Sequence, residues 1–195
     1  QGINSIAIGY QSGKTLQGTN SVALGLQSGS YSQGQFGIAI GYQAGYTNQG
    51  GPNSSYLSST IAIGNNAGYT NQGLSAVAIG FNAGKINQQD SSVAIGNTLG
   101  LQSQGTNAIA IGYLAGTTNQ AQDGVAIGFA AGYGTQGIRG IAIGRNAGQV
   151  AQGSQSIAIG YLAGYNTQGA NSIAIGTLAG SNELGASGRD YCIDI

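Results

Sequence analysis

Catalysis would start from carboxylates, imidazoles and thiols, and this chain has few of them. Its 195 residues include no His, one Cys, and five Asp and Glu together. General acid–base catalysis draws chiefly on His and on tuned carboxylates. Glycoside hydrolysis needs two carboxyl groups facing one cleft, yet Asp90 and Asp123 stand at unlike places in the pattern below, two coils apart. The single Cys192 provides neither a disulfide framework nor a zinc site. Lys14, Lys85, Arg139 and Arg145 are scattered and read as solvated surface charges. Lys+Arg equals Asp+Glu, so the formal net charge is zero and nucleic acid finds no basic patch. The reading is of a non-enzymatic chain with no catalytic, cofactor-binding or metal-binding residues and no cofactor. No apolar run approaches the roughly 20 residues of a membrane span, so no direct membrane insertion is expected in this segment.

One chemical array does recur. Thr15, Thr47, Thr70 and Thr118 share one place in a repeat, as hydroxyls on a flat ice-binding surface would. Ile86, Gln102 and Val150 interrupt that column. An ice-binding or other surface-binding solenoid is therefore the alternative function.

The elements that carry these residues follow from an internal repeat. The motif I/V-A-I/L-G begins at Ile6, Val22, Ile38, Ile61, Val77, Val93, Ile109, Val125, Ile141, Ile157 and Ile173, 11 copies in all. The spacing is 16 residues throughout, except for 23 between Ile38 and Ile61. The surplus falls within Gly51–Thr60, beside the only proline, Pro52, and predicts a loop insertion there. With the first Ile or Val at offset zero, Gly recurs at offsets three and seven. A small residue precedes the second Gly in all copies but one, where Leu99 stands. Gln holds offset eleven until Leu184, and Gly usually follows it, with Gln89 and Ala121 as exceptions.

A helix interior would lose about 1 kcal/mol at each Gly, and 16 residues are too few for a helical repeat. Aliphatic, mostly β-branched residues at offsets zero and two alternate as in a strand. The expectation is all-β: a parallel β-solenoid of about eleven 16-residue coils, spaced about 4.8 Å apart in a rod roughly 50 Å long. Residues 1–180 form it. Residues 181–195 lose the pattern and carry Glu183, Arg189, Asp190 and Asp194; they read as a C-terminal cap or the start of a following segment. The chain opens on Gln1-Gly2, which match offsets eleven and twelve of a preceding coil, as in a fragment of a longer protein.

In Ile6-Ala7-Ile8 the two Ile share one face and Ala7 takes the other. With Ile filling the interior, the outer face is a column of Ala7, Ala23, Ala39, Ala62, Ala78, Ala94, Ala110, Ala126, Ala142, Ala158 and Ala174. That stripe covers about 500 Å², large for a monomer without a partner, and is the candidate subunit seam. If the faces are reversed, the stripe is Ile and Val; either way the rod self-associates. The Gln column reads as a ladder of stacked amides. Recurrent aromatics at offsets four and eight, such as Tyr42, Phe81, Tyr46 and Tyr69, read as packing between subunits or over the turns.

Units such as Asn171-Ser172-Ile173-Ala174-Ile175-Gly176 and Asn20-Ser21-Val22-Ala23-Leu24-Gly25 resemble the N-S-V/I-A-I-G head repeat of trimeric autotransporter adhesins. The filler Tyr42–Gly50 is similar to that of fibre proteins of large DNA viruses and phages. The resemblance implies a left-handed β-roll, a homotrimer, and a structural or adhesive segment of a surface fibre. It implies extracellular exposure on a bacterial cell or a virion, with the chain itself and an unknown host-surface receptor as partners.

Overall fold

The computed structural model describes residues 1–50, 58–98, 103–181 and 193–195. The heart of the expected loop insertion, with Pro52, lies outside the described residues, as do Cys192, Glu183, Arg189 and Asp190. Among the described residues there is no helix, and the chain winds as a parallel β-solenoid.

The apolar tetrads build one long wall. Their strands, from Ile6–Ile8 to Ile173–Ile175, are joined at the end by Ile193–Asp194 in a single 12-stranded sheet. Neighbours are parallel and in register: Ala7 faces Ala23 at one end, and Ala158 faces Ala174 at the other. The 23-residue interval leaves this register intact, with Ala39 opposite Ala62. Ile193 pairs with Ile173, so the charged tail returns one strand to the stack.

Glycine sets the corner after each tetrad. Gly112 has φ of 134°, and a Cβ there would sit 2.5 Å from the Gly128 carbonyl oxygen. An L side chain would meet both the strained dihedral and the next coil's backbone. Other corners are turned by non-glycine residues in the left-handed region, among them Asn20 at 56° and Asn107 at 57°. Asn tolerates that conformation better than most residues.

The second wall ends on the Gln column and comes in two parts. Thr15–Gln17, Tyr31–Gln33, Thr47–Gln49, Thr70–Gln72 and Ile86–Gln88 form a five-stranded sheet. Thr135–Gln136, Ala151–Gln152 and Thr167–Gln168 form a three-stranded one. Single bridges through Gln104 and Gln120 connect them.

Candidate association surface

The alanine column lies inside the coil, which corrects the expected seam. Ala23, Ala39, Ala62, Ala78, Ala94, Ala110, Ala126, Ala142 and Ala158 are fully buried, and Ala174 is 2% exposed. Ala7, in the first coil, is half-buried. The physical reason is the width of a 16-residue coil. A Cβ built on Gly13 would lie 3.1 Å from the Ala7 Cβ, and one on Gly84 would lie 3.4 Å from that of Ala78. The small Gly and Ala side of the core leaves room beside it only for the Gln side chain, and Ile does not fit between the walls. A second buried Ala column, including Ala67, Ala115 and Ala163, completes this narrow core.

The faces are therefore reversed, and the outer face of the long wall is aliphatic. Ile6 is 50% exposed and Ile8 59%, while most Ile and Val of the inner coils are half-buried. Each inner side chain is flanked above and below by its counterparts one coil away, which covers part of it without any partner. Two straight columns of Ile, Val and Leu run the length of the rod.

The Gln column is also interior, and it is not chiefly a ladder. Gln33 Nε2 donates to the Val22 carbonyl at 2.8 Å and to the Gly37 carbonyl at 3.0 Å. Gln120 Nε2 bonds Ile109 and Gly124 in the same way. The amide staples the second wall to the start of the first within one coil. Gln136 to Gln152, at 3.1 Å, is the contact that runs between coils. Where the offset-seven glycine is described, the Gln Oε1 of the same coil lies against it: a Cβ on Gly45 would lie 2.7 Å from Gln49 Oε1. The conserved pairing of Gly and Gln within each coil is thus one steric unit. Amide ladders do exist, but outside. Gln43 Nε2 donates to Gln27 at 2.8 Å and Gln27 to Gln11 at 2.9 Å; Asn48, Asn71 and Asn87 form another at 3.0 Å per step. Sequence reasoning missed these, although the amides at offsets five and ten were in view.

The aromatics sit on the outside. Tyr46 stacks on Tyr69 with ring centroids 5.0 Å apart, and Tyr31 meets Tyr46 edge-on at 5.2 Å. Lys14 Nζ lies 5.6 Å from the centre of the Tyr31 ring. Burial among these rings, and then the Tyr31 phenol, hold the Tyr46 hydroxyl above its ordinary titration range. On another face Tyr113 stacks on Phe129, and the Arg145 guanidinium covers the same Phe. Among the described residues no group of three His, Cys, Asp or Glu could hold a metal. No helix among them is long and apolar enough to cross a membrane.

The family model of the YadA head domain repeat (2 copies) matches residues 1–13, 17–44, 103–131 and 136–163, just over half of the chain. The chain belongs to the YadA head domain repeat family. YadA heads are non-enzymatic adhesin domains exposed at the cell surface. The matched YadA segments include residues of both parts of the second wall, and 17–44, 103–131 and 136–163 each contain fully buried Ala residues. No curated protein and no solved structure matches the chain.

Proposed function

We propose that this chain is a structural and adhesive segment of a homotrimeric surface fibre that attaches a bacterial cell or a virion to a host surface. The observation that carries the proposal is the outward aliphatic face of the long wall. Its columns repeat once per coil, in register over eleven tetrads. The partner that presents matching ridges at the same pitch along the whole rod is another copy of the same rod. Covering the exposed half of each aliphatic side chain contributes about 0.75–1.5 kcal/mol, half of the value for full burial, summed over two columns. The number three follows the YadA head family. Trimerisation suits attachment, because weak contacts on three subunits combine through effective concentration. The chain performs no catalysis in this role.

The test is Ile111→Glu with Ile127→Glu and Ile143→Glu, three charges on one outer column. Native mass measurement should show a trimeric parent and a variant that is monomeric or aggregated. A parent that is monomeric at micromolar concentration, or a variant that stays trimeric, excludes this face as the interface.

A further inference from the structure

The stack departs from its own rule at one place. The residue after the buried Gln is Gly for a steric reason. A Cβ on Gly18 would lie 2.5 Å from the Gly34 carbonyl carbon, and one on Gly153 would lie 2.5 Å from that of Gly169. Gln89 and Ala121 stand at this position in two coils. Between them, among the described residues, the second wall carries the isolated bridges Gln88–Gln104, Gln104–Gln120 and Gln120–Gln136 in place of named strands. The surface sinks there into an open depression of about 550 Å³, lined in part by Gln89, Ser103, Thr106, Asn119, Gln122 and Ile138. Real proteins break a local rule mostly where function compensates.

The chemistry of the lining is specific. No lining residue carries a formal charge. The side chains of Gln89, Ser103, Thr106, Asn119 and Gln122 make no hydrogen bond to the protein among the described residues. At the place of Asn119 in earlier coils, Asn48, Asn71 and Asn87 are engaged in the outer ladder. The charges near the rim are engaged as well. Asp90 Oδ1 accepts the Leu74 amide at 2.8 Å, and Asp123 accepts Asn107 and lies 3.8 Å from Arg139. The depression thus offers free amides and hydroxyls, both donors and acceptors, around one aliphatic wall, Ile138, which is 48% exposed.

We propose that this depression is a binding site for a neutral saccharide. Sugar hydroxyls match the mixed donors and acceptors, and a pyranose C–H face matches Ile138. The volume lies within the range of small-molecule sites. A charged ligand would have to compete with the bonds that Asp90, Asp123 and Arg139 already make at the rim, and a large apolar one would leave the amides unpaired. The proposal rests on the reading of the chain as an attachment segment and gives that segment its ligand class.

Saturation-transfer NMR of the chain with N,N′-diacetylchitobiose and lactose, with sialyllactose as the anionic comparator, tests it. At least one neutral sugar should bind in the millimolar range. Asn119→Ala with Gln122→Ala, both on exposed side chains, should weaken binding at least tenfold. Gln89→Gly with Ala121→Gly, which restores the residue of the other coils, should weaken it similarly while the melting curve stays cooperative. No signal from either neutral sugar at about 10 mM, unchanged binding in both variants, or binding that requires the sialic carboxylate would overturn the proposal. The outcome is separable from that of the fibre reading. A trimer without saccharide binding removes only the site, and a saccharide-binding monomer removes only the trimer.

Discussion

The stretch of second wall from Thr15 to Gln88 and the stretch from Thr135 to Gln168 bury the same Gln with different backbones. In the first, the residue before Gln has positive φ: Leu16 at 54°, Ser32 at 57°, Asn48 at 52°, Asn71 at 54° and Asn87 at 52°. In the second, Thr135, Ala151 and Thr167 hold that place and none has positive φ. Residue type explains most of the change. The first stretch puts Thr or Ile at offset nine in four of its five coils, and Asn at offset ten in three. The second moves Thr to offset ten, where its branched Cβ resists the left-handed region. Nothing in the structure explains Leu16 in that conformation. The comparison teaches that the interior contact is the fixed quantity. Gln72 Nε2 reaches the Ile61 carbonyl at 2.7 Å and Gln152 Nε2 reaches the Ile141 carbonyl at 2.6 Å.

If the interior is common to both stretches, damage to it should ignore which stretch it falls in. Gln72→Glu and Gln152→Glu each place a carboxylate in the dry column, at a cost of about 3–5 kcal/mol near neutral pH. Burial raises the pKa of such a carboxyl, so both variants should regain stability as the pH falls and the acid is protonated. Urea melts at neutral and acidic pH check this; a loss confined to one variant would show two different interiors. The corner after the tetrad makes the same point with less force. Gly41→Val and Gly144→Val, both at φ of 125°, should each lose about 3 kcal/mol. Thermal melts that match the parent would remove the steric account of that corner.

The stretches should differ where their backbones differ. Asn71→Val puts a β-branched residue at φ of 54° and should cost about 1–2 kcal/mol. Ala151→Val, at the matching place without positive φ, should change stability by less than about 0.5 kcal/mol. Equal losses in chemical denaturation would mean that the two backbones are energetically one.

The period, the all-β class, the parallel register and the turn glycines were legible because each depends on residue spacing alone. The inside-out assignment was not. Alternation along Ile6-Ala7-Ile8 says that two faces differ, and it does not say which face the coil can accommodate. That depends on the distance between walls, which a Cβ on Gly13 reveals by meeting both Ala7 and Gln17. The Gln column misled for a related reason: stacked amides can pair with each other or with the backbone, and Gln33 Nε2 reaches the Gly37 carbonyl, which already accepts the Val22 amide, while its Oε1 has no hydrogen-bond partner. The depression beside Asn119 left a trace in the sequence, the two missing glycines at Gln89 and Ala121. What that trace meant depended on the break in the wall between them.

The smallest difference between the two stretches is electrostatic. In the first, Tyr31, Tyr46 and Tyr69 follow one another along the rod, and the middle phenol is held above its ordinary value of 10.0 by burial and by Tyr31. In the second, Tyr133 and Tyr165 are separated by Gln149, so neither has an aromatic neighbour one coil away at the same offset. A raised phenol pKa means that the folded chain holds that proton more tightly than the unfolded one. Its contribution to stability is complete below pH 10 and is lost as the pH rises through the folded value. Titration followed by phenolate absorbance should show one tyrosine ionising later than the rest. Tyr46→Phe should remove that late component, whereas Tyr165→Phe should leave it in place. A late component that survives Tyr46→Phe would assign the tight proton to another ring, and with it the claim that stacking of successive coils sets this column apart.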